Sequence, residues 1–198
     1  MLRFTPVVKN LILVNVVVFI AQALMPGLTN ILSLYGVQTQ LFKPYQLFTY
    51  MFAHGGLFHI FFNMMALAFL GPVLETFWGS KRFLTFYLIT GIGAAVFNIA
   101  MGFFVPNAAF GAMIGASGAV YGVLTAFGIL FPDMELQLLF PPIPVKAKYL
   151  VLVLGGIAVF SGLRGRAGDN VAHFAHLGGI VVAFVLLQIW RRQGGRYH

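Results

Sequence analysis

Long apolar blocks separated by short polar or proline-rich breaks run the length of this chain. They predict helices at roughly 8–25, 55–74, 82–104, 115–132, 147–163 and 171–190. The first holds the run from Leu11 to Leu24. A long connection follows, broken by Pro26, Gly27, Gly36 and Pro44, and too polar to be a seventh block. The second block reaches a natural helix stop at Gly71-Pro72, because proline supplies no backbone N–H and disfavours the helical conformation before it. Lys81 and Arg82 open the third. Pro106, Asn107 and Gly111 mark the loop before the fourth, and Pro141, Pro142 and Pro144 the loop after it. A polar stretch with Arg164, Arg166 and Asp169 precedes the sixth. No linker, repeat or low-complexity segment divides residues 1–198, so one domain is expected.

Composition turns these helices into membrane spans. Of 198 residues 60% are hydrophobic and 8% charged, against about 25% charged in an ordinary soluble domain. Twelve basic and four acidic side chains cannot cover the surface of a soluble protein this size. Six spans of about 20 residues would use roughly 120 residues, which the hydrophobic count can supply. The expectation is an all-α membrane protein, a bundle of six transmembrane helices. MLRFTPVVKN leads into its apolar block with no small-residue cleavage site behind it, so that block reads as a retained span rather than a signal peptide. A bacterial inner (plasma) membrane is the expected location. The net charge of +8 does not point to nucleic acid, because the basic residues stand in ones and twos beside apolar segments. With both termini cytoplasmic, the inner segments carry Arg3, Lys9, Lys81, Arg82, Lys146, Lys148, Arg191, Arg192 and Arg196. The outer segments carry only Lys43, Arg164 and Arg166, which favours an N-in/C-in orientation.

Polar side chains inside spans are costly and mark candidate sites. His54, His59 and Asn63 stand at and in the second block, Ser117 and Tyr121 in the fourth, His173 and His176 in the sixth. In the N-in orientation all three spans run from outside to inside. At 1.5 Å rise per residue, His59, Ser117 and His176 then lie at one depth, within roughly 10 Å of the outer boundary. His59 and Asn63 are four residues apart and share a helix face, as do Ser117 and Tyr121. Gly115, Gly118 and Gly122 surround Ser117, and Gly178 and Gly179 follow His176. Small residues at such spacing let membrane helices approach closely, as a bond between Ser117 and His176 requires. His173 reads as a cap or lining residue and His54 as a structural hydrogen-bonder for the loop before it. Glu75 is expected to pair with Lys81 or Arg82, and the 22 phenylalanines to face lipid or pack.

Three fragments together, HGGLFHIFFN, GASGAVY and AHLGG, resemble the rhomboid family of intramembrane serine proteases. The likeness runs from the loop before the second block to the end of the sixth. It implies a six-helix rhomboid-like bundle that cleaves transmembrane segments of other membrane proteins, with single-span proteins as substrates, membrane lipids around it and no cofactor. It makes Ser117 the nucleophile and His176 the general base of a dyad with no carboxylate third member, in line with the absence of Asp and Glu from the last three blocks. Tyr121 matches the tyrosine that packs on the catalytic imidazole. His59, Asn63 and the Ser117 N–H match the oxyanion donors, with His54, Gly115, Gly118 and Gly179 in supporting positions. Glu75 matches the acidic residue that ends the family's second helix. One departure stands out: where many members carry Trp-Arg in the first external loop, this chain has Tyr45-Gln46. The absence of a further soluble domain or seventh span suggests a minimal form. An inactive client-binding relative would keep the fold without the dyad. A transporter would be expected to show repeats and matched broken helices. A metalloprotease using His54, His59, His173 and His176 would lack H-E-x-x-H and a nearby carboxylate.

Overall fold

The computed structural model describes residues 4–104, 111–137, 142–164 and 173–193. Arg3, Pro106, Asn107, Pro141, Arg166, Asp169 and Arg196 lie outside these residues. Helix α1 (Pro6–Leu24) begins with Thr5 in extended conformation and proline as its first helical residue, where a missing N–H costs nothing. A connection follows that holds α2 (Leu28–Leu32), α3 (Gln46–Thr49) and a single 3-10 turn, Tyr50–Phe52. It is then α4 (Leu57–Trp78), α5 (Ser80–Phe104), α6 (Ser117–Leu130), α7 (Ala147–Arg164) and α8 (His173–Arg192). Each of the six predicted blocks carries one of the long helices. By length and apolarity α1, α4, α5 and α8 can each cross a membrane, whereas α6 and residues 147–157 of α7 are shorter apolar helices. The chain is a mostly helical, multi-pass integral membrane protein.

Helix α6 is the centre. From Gly118 to Gly128 all but Tyr121 are buried, and α6 packs against α4, α5, α7 and α8. Helix α1 is peripheral: Leu13, Val14, Val16, Val17 and Ile20 are exposed, as side chains that meet lipid should be.

Three expectations need correction. Helix α4 does not stop at Gly71-Pro72 but continues to Trp78. Leu67, Leu70, Gly71, Leu74, Glu75 and Trp78 form one buried stripe across the proline, so packing outweighs the one lost backbone bond. Gly71 makes room there for α1, since a Cβ at that position would lie 2.6 Å from Val8 Cγ2. The true stop is Gly79, at φ +79°, a conformation glycine adopts without strain. Second, Glu75 pairs with neither Lys81 nor Arg82. Its carboxylate accepts from the Thr5 hydroxyl, from the Val7 and Val8 N–H groups, each at 3.0 Å, and from the Ser80 hydroxyl at 2.6 Å. One anion thus caps the start of α1, whose first N–H groups have no partner within the helix, and ties it to the α4–α5 junction. Third, the proline-rich loop after α6 is a short antiparallel hairpin, β1 (Glu135–Gln137) with β2 (Pro144–Lys146). Asp133 closes its base with ion pairs to Lys148 at 2.7 Å and Lys146 at 3.5 Å.

In the first connection, Tyr45 is exposed while Gln46 is buried. The Gln46 carboxamide accepts from the Lys43 N–H at 3.0 Å and donates to the Leu41 carbonyl at 3.1 Å. The pair that replaces Trp-Arg therefore organises its own loop.

Candidate active site

A turn at Gly115 aims the start of α6. Gly115 has φ +119°, and its N–H donates to the Tyr50 carbonyl at 2.9 Å. Any side chain there would meet His59, with a Cβ 2.6 Å from Nε2. Ser117 follows as the first residue of α6. From the other side, α8 begins at His173, which puts His176 one turn inside. A Cβ at Gly179 would collide with the carbonyl oxygen of Gly118, so α6 and α8 meet backbone to backbone just beyond the two side chains.

That approach brings the Ser117 Oγ to 2.8 Å from His176 Nε2. The Tyr121 ring lies parallel to the imidazole, with centroids 4.3 Å apart and planes within 8°. His176 is itself buried, so the stack and the hydroxyl fix its orientation. A hydroxyl within hydrogen-bond reach of an imidazole whose ring is held by a third group is the arrangement an activated nucleophile needs.

Ser117, His176, Tyr121, His59 and Asn63 line one cavity of about 1060 Å³. Asn63 Nδ2 donates to the His59 carbonyl at 2.9 Å, which engages one of its two amide hydrogens. Apolar side chains from three further elements complete the walls: Ile114, Leu136 of the hairpin, and Leu150 and Leu154 of α7. Among the described residues no Asp or Glu lines it. His173 does not line it either, and its ring stands edge-on to His176 at 6.3 Å.

His54 is 2% exposed and stays out of the cavity wall. Its Nδ1 lies 3.3 Å from the Phe52 carbonyl, and its ring meets that of His59 edge to face at 5.0 Å. Burial, and then the nearby His59, pull its pKa down to about 4, so it is neutral near pH 7. Sequence reasoning missed Gln22 of α1, which holds the His54 backbone, and Leu136, hidden in a stretch read as a loop. The signal for Gln22 was there: an amide inside an apolar block is as costly as the histidines that were noticed.

The Rhomboid domain family model matches residues 41–193. This chain belongs to the rhomboid family. It is 32% identical over 128 residues to Rhomboid protein 1, mitochondrial, of Saccharomyces cerevisiae, which covers 65% of this chain and 36% of that one. With RHOMBOID-like protein 1 of Arabidopsis thaliana the identity is 32% over 144 residues, 73% of this chain and 34% of that one. With Rhomboid protease GluP of Bacillus subtilis it is 29% over 140 residues, 71% and 25%. The chain thus spans about a third or less of the length of these curated relatives. They come from a fungus, a plant and a bacterium, so the expected bacterial plasma membrane gains no support from them.

Proposed function

We propose that this rhomboid chain is an intramembrane serine endopeptidase. The observation that carries the reading is the 2.8 Å contact between Ser117 Oγ and His176 Nε2 under the Tyr121 ring. In this reading all six long helices cross the membrane with both termini inside, and the substrates are transmembrane segments of single-span proteins. Ser117 Oγ attacks the scissile carbonyl while His176 Nε2 takes its proton. The oxyanion is stabilised by the Ser117 N–H, His59 and the remaining Asn63 amide hydrogen. His176 returns the proton to the leaving amine, and water then hydrolyses the acyl-enzyme with His176 again as base. Tyr121 holds the imidazole, and no cofactor takes part.

Ser117 sits near the outer end of its helix in this topology, so the cut falls in the outer third of the substrate segment. A helix in lipid has its carbonyls hydrogen-bonded; Gly or Pro near the site therefore helps by loosening it, and the residue before the cut is small. The test is labelling of the detergent-solubilised protein with a fluorophosphonate, beside cleavage of a generic single-span substrate in liposomes. Labelling and cleavage that both vanish in Ser117→Ala support the reading. A wild-type protein that neither labels nor cleaves would instead be a client-binding pseudoprotease. A cut mapped by mass spectrometry to the inner half would overturn the orientation.

A further inference from the structure

Two bonds meet on one peptide group between His54 and Gly55. The Gly55 N–H donates to His59 Nδ1 at 3.3 Å. On the other side of the same planar unit, the His54 carbonyl accepts from Gln22 Nε2 at 3.2 Å. Because N–H and C=O of a trans peptide point in opposite directions, whatever grips the carbonyl also aims the N–H. Gln22 grips twice, since its Oε1 accepts from the His54 N–H at 2.9 Å. The Gln22 amide is oriented in turn by donation to the Thr29 hydroxyl at 2.8 Å. Both Gln22 assignments are forced, as the amide oxygen can only accept, here from the His54 N–H, and the amide nitrogen can only donate, here to the His54 carbonyl.

The chemistry of the imidazole follows. A peptide N–H cannot accept, so the Nδ1 it reaches carries a lone pair. Neutral imidazole has one N–H, which therefore sits on Nε2. That nitrogen lies against Gly115, two residues before Ser117. We propose that Gln22 is a positioning residue for His59: it locks the His54–Gly55 peptide so that His59 is held as the Nε2–H tautomer, its only ring proton turned toward the Gly115 turn that leads into Ser117. The sequence at this point is His54-Gly55-Gly56. Two glycines in succession offer little resistance to a peptide flip. A flip would present the His54 carbonyl to Nδ1, draw the proton there and leave a lone pair where the oxyanion forms. The clamp from α1, 32 residues away in sequence, prevents it.

The tautomer is read directly by 15N NMR of histidine-labelled protein in micelles, with His59→Gln assigning the signal. In the wild type His59 should show a protonated Nε2 and a bare Nδ1. Gln22→Met, which keeps side-chain length and removes both bonds to His54, should convert it to a tautomer mixture. In the same variant kcat should drop about tenfold, part of the 10²–10³ carried by one oxyanion donor, with KM unchanged and fluorophosphonate labelling of Ser117 retained. If Gln22→Met does not fold, Thr29→Val frees the Gln22 amide and carries the same expectation at smaller size. An Nδ1–H tautomer in the wild type, or a pure Nε2–H tautomer in Gln22→Met, overturns the proposal. The kinetic arm rests on the protease reading and the NMR arm does not, so a protein that never cuts still decides the tautomer.

Discussion

Replacing Glu75 by glutamine should be among the most destabilising single-atom changes available in this fold. The carboxylate accepts four hydrogen bonds, two on each oxygen: Val7 N–H and Ser80 on Oε1, Val8 N–H and Thr5 on Oε2. Glutamine keeps one accepting oxygen and turns an NH₂ toward the other two donors. A hydroxyl can rotate and accept from that NH₂, but a backbone N–H cannot. At least one bond to a charged acceptor is therefore lost and its donor left buried, about 1.5–3 kcal/mol. The negative charge at the α1 N-terminus is lost as well, about 0.3–1 kcal/mol. Together these amount to roughly 2–4 kcal/mol. For a chain of this size 1 kcal/mol moves the midpoint by about 2–4 °C, so Glu75→Gln should lower Tm by on the order of 10 °C. Thermal unfolding in detergent micelles, followed by intrinsic fluorescence, measures it. Lys81→Ala is the internal control and should stay within about 2 °C, well inside the scatter of surface substitutions. A wild-type Tm for Glu75→Gln would refute the capping argument. So would a loss in Lys81→Ala as large as in Glu75→Gln, which would restore the ion pair expected from sequence.

Gly179→Ala should abolish proteolysis, because its Cβ collides with the Gly118 carbonyl oxygen and levers His176 from Ser117; fluorophosphonate labelling at wild-type rate would refute this. Tyr121→Phe should keep most activity, since the stack on His176 needs only the ring, whereas Tyr121→Ala should lose it; equal kcat for the two would sink the stacking role. His173→Ala should remain active and His176→Ala be dead, and the reverse result would place the base one helical turn away. His54 brings a pH dependence: with its pKa lowered from 6.5 to about 4, its share of stability is complete above pH 6.5 and declines as pH falls toward 4. Melting scans at pH 7.5 and 4.5 should show a larger acid loss for wild type than for His54→Asn, and parallel losses would remove His54 as the cause.

The apolar blocks were legible because lipid demands long runs of one character, and helix ends fall within a few residues of where the runs change. What the runs conceal is which face is buried. In α4 nearly every side chain is apolar, so nothing in the pattern says that Leu67, Leu70, Leu74 and Trp78 face inward and carry the helix across Pro72. Ser117, Tyr121 and His176 were legible for the opposite reason: each is a polar exception at helical spacing among small residues, and the structure brings them together. Partners distant in sequence were not. Glu75 finds Thr5, and Gln22 finds His54, through pairings of α1 with its neighbours that no local pattern encodes. Lys81 and Arg82 looked like partners for Glu75 because they are near in sequence, but backbone N–H groups at a helix start compete for the same anion and are closer in space.

The contact of Gly118 with Gly179 has a consequence for how this chain can change. Most core contacts are negotiable: a larger side chain on one helix is tolerated once a smaller one appears opposite. Here the surfaces that meet are main chain on both sides, and a main chain has no smaller version. An added methyl at Gly179 has no complementary substitution to absorb it, so a search for second-site suppressors around this point should return none. Elsewhere in the bundle the same search would succeed at positions such as Gly93, where a Cβ would meet the branched side chain of Val182, which Val182→Ala could trim. Drift in the rest of the bundle is thereby free to proceed, while the spacing of serine and histidine is set by the thickness of two polypeptide backbones.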